Sequence, residues 1–263
     1  MIDVIVLDVD GGAMLDECIA SIRAQSVKPS RVIVFDNGST TPAAERLKNV
    51  EVYRSETNLG FAAGVNAAFQ LRTAAYVALI NNDVTLDREW LEQTRDALER
   101  DPRLAAVQTI IRNTRGDIDG AGVDISDGTF RQIGHGKAVG SPLSVAWGVS
   151  ATATLYRAAA LGDRIFDERL FAYYEDVELS ARLRSKEWRM AVLPVVLATH
   201  RGSASARILG KDARRLRTRN RYLVARMHPG VGRIRALLWE DARLALRGRT
   251  SLRGIFEGLC SRL

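Results

Sequence analysis

The first half of the chain alternates short apolar runs with helical patterns, and this alternation restricts the fold more than any other feature. Four runs rich in β-branched residues have the length and composition of buried strands: residues 2–7, 31–35, 50–53 and 75–80. Three helical patterns separate them: residues 13–25, 42–48 and 61–71. Strands that alternate with helices form βαβ units, which cover both faces of a mostly parallel sheet. The pattern therefore predicts an α/β fold.

Polar residues follow three of the predicted strands. Asp8 ends the first strand, Asp36 to Thr40 follow the second, and Asn81-Asn82-Asp83 follows the fourth. Ligands of open α/β sheets bind just beyond the carboxyl ends of the strands. We therefore expect these three loops to converge on one ligand-binding edge.

The second half continues the α/β pattern less regularly. The predicted elements are a helix from residue 87 to 100, strands at 105–110 and 190–198, a strand region at 143–156, and a helix at 175–185. A Gly- and Asp-rich stretch from Gly116 to Gly140 is typical of hairpins and loops.

The basic character of the chain belongs to its C-terminal part. The 263 residues carry a formal net charge of +7, but residues 201–263 hold 16 Lys and Arg against 4 Asp and Glu. This part has a helical pattern from Ser205, with a break at residues 228–230, and Leu252, Ile255, Phe256 and Leu259 fall on one helix face. A cationic segment on a mildly acidic body indicates an anionic partner, either lipid headgroups or nucleic acid.

Cysteine usage and the N-terminus indicate the compartment. Cys18 and Cys260 lie far apart and lack the spacing of a metal or redox motif. The apolar run at the N-terminus is too short and too acidic for a secretory signal, and no apolar run in the chain reaches about 18 residues. These features predict a cytoplasmic protein that does not span a membrane.

Two segments near the strand ends have the composition of a nucleotide site. Asp36-Asn37-Gly38-Ser39 either forms an Asx turn that caps the next helix or accepts hydrogen bonds from a base or ribose. The segment from Asn58 to Asn66 opens a helix with two glycines. Its backbone either approaches a phosphate at the helix N-terminus or packs closely on the sheet.

The acidic segments are the candidates for metal binding and catalysis. Asp83 with its neighbouring amides can hold Mg²⁺ or Mn²⁺ at a strand end, although a polar turn is the simpler interpretation of this segment alone. His200 follows another strand and is a second candidate, against the usual structural role of a lone histidine. Glu175 and Asp176 begin a predicted helix behind two tyrosines, where aromatic walls can tune a carboxylate for proton abstraction.

Taken together, five ordered motifs resemble glycosyltransferase family 2, the inverting transferases of GT-A fold, and within it the rhamnosyltransferase-like and galactofuranosyltransferase-like members. The resemblance runs from Ile2 to about Ser203. Its motifs are DNGST (36–40), NLGFAAGVNAAF (58–69), LINNDV (79–84), FAYYEDVELSARL (171–183) and His200. The chain departs from the family pattern at Asp8-Val9-Asp10, where NYN is usual, and at Asn81-Asn82-Asp83, which keeps one acid.

The resemblance implies a role for each matched residue. Asp176 would be the catalytic base beside Glu175, Asp83 and His200 would bind Mg²⁺ or Mn²⁺, and Asp36 would bind the nucleobase. The remaining expected contacts of the dTDP- or UDP-sugar donor are Asp8, Asn37, Asn58, Gly60, Phe61, Asn66 and Asn82. Trp147 would line the acceptor or donor pocket.

The resemblance also implies a function and a domain organisation. A metal-dependent GT-A domain over residues 1–203 would transfer a rhamnose- or galactofuranose-type sugar to a glycan or polyprenyl-linked acceptor during cell-surface polysaccharide synthesis. The basic helical extension over residues 204–263 would contact the anionic inner face of the cell membrane through its arginines rather than nucleic acid. Two alternatives stay open here: a non-catalytic nucleotide- or RNA-binding protein, and a sugar nucleotidyltransferase.

Overall fold

The computed structural model describes residues 1–48, 50–202 and 208–261, and its centre is a mixed sheet. Within these residues nine strands form the sheet in the order β3-β2-β1-β4-β10-β6-β11-β5, with β7 paired to β6. The strands are β1 (Ile2–Asp8), β2 (Arg31–Asn37), β3 (Glu51–Ser55), β4 (Tyr76–Asn81), β5 (Val84–Leu86), β6 (Leu104–Asn113), β7 (Ile118–Gly120), β10 (Ala153–Arg157) and β11 (Arg189–His200). A separate hairpin pairs β8 (Val123–Asp124) with β9 (Arg131–Gln132).

Most strands of the central sheet run in one direction. Strands β3, β2, β1 and β4 are parallel neighbours, and β6 is parallel to β11. Strand β10 is antiparallel to both β4 and β6, so those two also share a direction. Only β5, β7 and β10 run the other way within the described sheet. The predicted α/β fold with a mostly parallel sheet is confirmed.

Helices cover both faces of the sheet because successive strand residues point to opposite sides. Val4 and Val6 pack on one face, and Ile5 and Leu7 pack on the other. Helices α1 (Ala13–Arg23) and α3 (Trp90–Arg100) cover the first face. Helices α2 (Phe61–Phe69), α4 (Ala158–Leu161) and α5 (Glu175–Ser185) cover the second.

Two predicted elements differ from the structure. The helix expected over residues 42–48 is only a 3₁₀ turn, Ala43–Glu45, because the Asp36 carboxylate accepts a hydrogen bond from the Ala43 N–H and holds the chain in a tight turn. The strand region expected over residues 143–156 contains only β10, which starts at Ala153. The preceding residues are irregular, and their backbone pairs locally, as at Val123 and Gly148.

The C-terminal part is helical, as predicted. Helices α6 (Lys211–Met227), α7 (Ile234–Ala245) and α8 (Leu252–Cys260) follow one another, with the expected break after Met227. Leu223 and Val224 of α6 pack in one cluster with Val123, Leu170 and Val177, so this helix lies against the sheet domain. The predicted domain boundary at residues 203/204 and the predicted helical start at Ser205 lie outside the described residues.

In the described part of the chain, no helix combines the length and the apolar character that crossing a bilayer requires.

Candidate active site

A cavity of about 310 Å³ opens at the carboxyl edge of the sheet. Five residues predicted for the site line this cavity: Phe61, Asp83, Glu175, Asp176 and His200. Asp83 lies in the loop after β4, and His200 is the last residue of β11. Phe61 begins α2, and Glu175 and Asp176 begin α5. The topology therefore brings Asp83 together with His200 and Asp176, which lie more than 90 positions further along the sequence.

Strand pairing places His200 beside Asp83. Strand β11 is antiparallel to β5, and His200 lies opposite Val84, the residue that follows Asp83. The His200 Nε2 atom is 3.2 Å from Asp83 Oδ1. On the other side of the ring, Nδ1 lies 2.7 Å from the Oδ2 atom of Asp119, which belongs to β7. The imidazole thus lies between two carboxylates.

These carboxylates change the protonation of the histidine. Burial alone would lower the pKa of His200, but the hydrogen bonds and negative charges of Asp119 and Asp83 raise this pKa to about 9. Burial would raise the pKa of Asp119, but the hydrogen bond and charge of His200 hold it below its usual value. An imidazole backed by a carboxylate on its far nitrogen is the arrangement that orients histidine ligands of metals in proteins.

The two candidate catalytic carboxylates begin helix α5. Three nearby residues, Phe171, Tyr173 and Tyr174, have φ values of 61°, 73° and 68°. Non-glycine residues rarely adopt this left-handed conformation, and such strain is concentrated at functional sites. It allows the loop to turn sharply into α5, so that both Glu175 and Asp176 line the cavity.

Buried surroundings raise the pKa of both carboxyl groups. Burial raises the pKa of Asp176 to about 6, although the N–H groups of Val177 and Ala151 donate to its oxygens at 2.8 Å and 3.4 Å and favour the charged form. Burial, together with the charge of Asp176, raises the pKa of Glu175 to about 8. The Oε2 atom of Glu175 has no hydrogen-bond partner within the described structure. Burial thus favours the protonated form of both groups, and the charge of Asp176 adds to this effect at Glu175.

A buried asparagine from α6 holds the strained loop in place. The Asn220 Nδ2 atom donates to the carbonyl oxygens of Leu170, Ala172 and Tyr173 at 2.7, 2.8 and 2.8 Å. Asn220 is fully buried. The C-terminal helices therefore support the loop that carries the candidate base.

Asp8 and Asn82 meet at the ends of neighbouring strands. The Asn82 Nδ2 atom donates to Asp8 Oδ1 at 2.6 Å, and burial raises the pKa of Asp8. A Cβ atom on Gly11 would lie 2.2 Å from the same oxygen, so a larger residue there would displace the Asp8 carboxylate. Both side chains are buried beside the cavity rather than in its wall, and their contact with the donor stays a prediction.

Asp36 forms the turn that was the simpler interpretation of its sequence. Its carboxylate accepts hydrogen bonds from the N–H groups of Ser39 and Ala43, at 2.9 Å and 3.0 Å, and pairs with Arg54. Burial would raise the pKa of Asp36, but these partners lower it. The side chain is fully buried, so its predicted contact with a nucleobase has no support from an exposed atom.

The residues at the start of α2 form a network that supports the cavity wall. Asn37 donates to Asn58 Oδ1 at 3.2 Å and to the Gly60 carbonyl at 3.1 Å. Gly60 has a φ of 87°, and a Cβ atom there would lie 2.5 Å from the Phe171 ring. This close approach places Phe61 in the cavity wall, whereas Asn37, Asn58 and Gly60 lie behind it.

Asn66 and Trp147 lie outside the cavity wall. The Asn66 side chain accepts from the N–H groups of Ile165 and Phe166 at 3.0 Å and donates to the Phe166 carbonyl at 2.9 Å. Trp147 packs beneath the Arg184 guanidinium, which lies 5.4 Å from the indole ring centre. Their assignment to substrate binding stays a prediction that no contact in the structure supports.

The sequence motifs did not identify several residues of the cavity wall, nor Asp119, which lies behind His200. Those in the wall are Phe130, Arg131, Gln132 and Arg217. Asn81 and Tyr173, which belong to the predicted segments at residues 81–83 and 171–183, also line the cavity. Asp119 lies in the Gly- and Asp-rich stretch and Arg217 in a helix with many arginines, where nothing in the local sequence distinguishes one member.

Comparison with known proteins identifies the family of this chain. The model of Glycosyl transferase family 2 matches residues 4–163, more than half of the chain. The chain belongs to glycosyltransferase family 2. It is therefore an enzyme that transfers a sugar from a nucleotide-sugar donor, and membership of this family decides against a purely nucleotide- or RNA-binding protein and against a nucleotidyltransferase.

Curated relatives of this family member include two proteins of Mycobacterium tuberculosis. It is 28% identical to N-acetylglucosaminyl-diphospho-decaprenol L-rhamnosyltransferase over 81% of this chain and 78% of that protein. It is 30% identical to pre-mycofactocin glycosyltransferase over 66% of this chain and 38% of that protein. The rhamnosyltransferase is thus matched over most of its length and the second relative over less than half.

Solved structures of S. aureus TarS share the fold. The structure of TarS residues 1–349 in complex with UDP-GlcNAc is 18% identical to this family 2 chain and superposes with a TM-score of 0.62. A second TarS structure is 19% identical, with a TM-score of 0.59. The chain spans 64% of the first structure's length and 46% of the second's. These likenesses support the GT-A fold.

The cavity suits a divalent metal in part. Asp83 and His200 offer a carboxylate and an imidazole, and Asn81 Oδ1, in the same wall, is buried without a hydrogen-bond partner among the described residues. No group of three or more His, Cys, Asp or Glu side chains arranged as a metal site occurs in the described part of the chain. A metal would therefore also need ligands from a bound diphosphate and water, which Mg²⁺ commonly uses.

Proposed function

We propose that this family 2 enzyme is an inverting, metal-dependent transferase of a rhamnose- or galactofuranose-type sugar, with a dTDP- or UDP-sugar as donor. The acceptor would be a hydroxyl of a polyprenyl diphosphate-linked glycan in cell-surface polysaccharide synthesis. The observation that carries this proposal is the placement of Asp176 in one cavity with Asp83 and His200. A base and a diphosphate-binding centre are the two groups that such a transfer requires.

The substrates are proposed from the relatives. The mycobacterial relative is named as a rhamnosyltransferase that acts on a diphospho-decaprenol-linked sugar. The TarS complex contains UDP-GlcNAc, which supports a UDP-sugar as the alternative donor to a dTDP-sugar. The match covers 78% of the mycobacterial protein, and this coverage supports both the proposed donor sugar and the proposed lipid-linked acceptor.

Asp176 would take the proton from the acceptor hydroxyl. Its pKa of about 6 is high enough to accept a proton and low enough to remain ionised at neutral pH. The activated oxygen would attack the anomeric carbon from the face opposite the nucleoside diphosphate, so the configuration inverts and no covalent enzyme intermediate forms. Burial and the charge of Asp176 raise the pKa of Glu175, and its protonated form would keep a second negative charge away from the base.

Asp83 and His200 would hold the metal, and Asp119 would orient the imidazole from behind. A divalent ion bound there supplies positive charge that stabilises the departing diphosphate. Binding requires a neutral imidazole, so the proton that the two carboxylates hold on His200 must leave when the metal enters.

The enzyme would act at the inner face of the cell membrane, because a polyprenyl chain keeps the acceptor there. Leu246, Leu252 and Phe256 are 90%, 77% and 69% exposed on the C-terminal helices. Exposed apolar side chains beside arginines are typical of helices that lie in a membrane interface. Arg215 and Arg221, by contrast, pair with carboxylates of the C-terminal helices and are less available to lipid.

A donor screen tests the proposed chemistry. The purified chain, with Mn²⁺ or Mg²⁺, is incubated with dTDP-rhamnose, UDP-galactofuranose or UDP-GlcNAc and a short-chain prenyl diphosphate-linked GlcNAc. We expect release of the nucleoside diphosphate and formation of one glycosylated product with inverted anomeric configuration. Mass spectrometry and NMR of the product identify the sugar and the anomer.

Matched variants separate the proposed base from its neighbour. Asp176→Asn should lower the rate of transfer by about 10² to 10⁴ while donor binding, followed by thermal shift, is retained. Glu175→Gln should retain transfer because it replaces a protonated carboxyl by a neutral amide of the same shape. Turnover by Asp176→Asn close to that of the wild type would exclude this residue as the base, and a retained anomeric configuration would exclude the inverting mechanism.

A further inference from the structure

A second cavity, of about 860 Å³, lies between the C-terminal helices next to the catalytic cavity. It is lined by six cationic side chains: Lys211, Arg214, Arg215, Arg217, Arg221 and Arg249. No Asp or Glu lines it among the described residues. Such a concentration of positive charge without lining carboxylates is unfavourable in an empty cavity and indicates an anionic ligand.

Two of the six cations are already neutralised from behind. Arg221 pairs with Glu240, at 2.8 Å, and with Asp241. Arg215 pairs with Glu257, also at 2.8 Å. These arginines are fixed parts of the wall and add little net charge.

The other four cations have no carboxylate partner within the described part of the chain. Arg214 donates only to the Gly248 carbonyl, at 2.8 Å, and the Arg217 guanidinium lies over the Tyr173 ring at 4.3 Å. Lys211 and Arg249 are exposed at the cavity. Together these four side chains leave a net positive charge that matches a diphosphate rather than a single carboxylate.

The cationic cavity and the catalytic cavity are adjacent. Tyr174 and Arg217 line both of them. Tyr174 directly precedes Glu175 and the proposed base Asp176. The cationic cavity is therefore the space next to a sugar hydroxyl that is held at Asp176.

Apolar side chains belong to the wall of the cationic cavity or follow its wall residues closely in the chain. Residues 249–251 line it, and on either side of them in the chain Leu246 is 90% exposed and Leu252 is 77% exposed. Leu244 is itself part of the wall. The base, the cations and these apolar side chains thus lie in neighbouring parts of the structure, and a lipid-linked sugar carries a hydroxyl, a diphosphate and a hydrocarbon chain.

We propose that the cationic cavity binds the diphosphate group that links the acceptor sugar to its lipid. This inference rests on the proposed function only for the nature of the acceptor. The donor diphosphate has a separate place, beside Asp83 and His200. The main role of the cations of α6 is therefore to bind the acceptor. This role differs from a general attraction of these cations to an anionic membrane.

The test measures binding of geranyl diphosphate to the full chain by calorimetry, with EDTA and saturating UDP to keep the probe out of the donor site. The double variant Arg214→Gln/Arg249→Gln should weaken binding about tenfold or more, because two charge-assisted contacts are removed. Arg235→Gln/Arg243→Gln is the control: both arginines are exposed and outside the two cavities, and it removes the same charge. Geraniol should not bind measurably at the same concentrations.

Three results would overturn the inference. They are equal binding of geranyl diphosphate by both double variants, equal binding of geraniol, and a cavity variant that loses only its sedimentation with phosphatidylglycerol vesicles. The last result would assign these cations to lipid headgroups instead. Release of nucleoside diphosphate from the donor is measured in parallel, so that failure of the acceptor site is distinguished from failure of the proposed transfer.

Discussion

The pKa of Asp176 makes the pH dependence of the transferase a direct test of the proposed base. A carboxyl with the ordinary pKa of 3.8 would be ionised throughout the neutral range and would leave the rate independent of pH down to about 5. Burial raises this pKa to about 6. Because only the ionised carboxylate can accept the acceptor proton, activity should fall as the pH drops through 6.

The size of the effect follows from the ionised fraction. With a pKa of about 6, the base is half ionised at pH 6 and roughly one-tenth ionised at pH 5. Acceptor kcat/KM should therefore fall about tenfold between pH 7 and pH 5. Asp176→Asn should remove this dependence and lower kcat by about 10² to 10⁴, the usual contribution of a general base.

The assay is the initial rate of nucleoside diphosphate release at subsaturating acceptor, from pH 4.5 to 9. Protonation of His200 would also reduce activity at low pH, by expelling the metal. The profile is therefore repeated at a tenfold higher metal concentration. A limb caused by metal loss moves to lower pH, whereas a limb caused by Asp176 stays near 6.

Glu175→Gln is the matched control for the assignment. Glu175 has a pKa of about 8 and is protonated while Asp176 titrates, so a neutral amide should leave the acidic limb near 6. A limb near 4 in the wild-type enzyme would refute the argument from burial. A limb that falls by more than about one unit in Glu175→Gln would show that Glu175 is charged in this range.

Three further predictions concern groups around the base. Glu175 binds a proton in the folded state between pH 4.5 and 8 that the unfolded state releases, so its burial destabilises the fold increasingly as pH rises through this range. Glu175→Gln should therefore raise the free energy of unfolding by up to about 3 kcal/mol at pH 7 and by almost nothing near pH 4, as measured by urea denaturation. Asp119→Asn should lower the pKa of His200, as followed by NMR, and weaken Mn²⁺ binding in the presence of UDP about 10- to 100-fold; unchanged Mn²⁺ affinity would contradict a supporting role for this carboxylate. Asn220→Leu should leave three loop carbonyls without their hydrogen-bond donor, and should lower kcat by a larger factor than it raises the KM for the donor. Kinetics at saturating acceptor would detect this difference, and equal factors for kcat and KM would contradict it.

The fold could be predicted from the sequence because its signals are local. A buried strand must be apolar along its length, a helix must present an apolar face, and both patterns are visible in short windows such as residues 2–7 and 61–71. The same holds for residues 175–185, where the helix was predicted with its bounds. The helix prediction for residues 42–48 was wrong because a single side chain, Asp36, holds this segment in a tight turn through hydrogen bonds.

The sequence by itself determined the α/β class, the edge at which the site lies, and the candidate carboxylate at Asp176. Only the tertiary structure decided that Asp119 lies behind His200, that Asn220 holds the strained loop, and that Arg217 reaches both cavities. Each of these is a contact between residues about 50 or more positions apart in the chain, or a shared wall between two elements. Such contacts depend on strand order and helix packing, which no local pattern encodes.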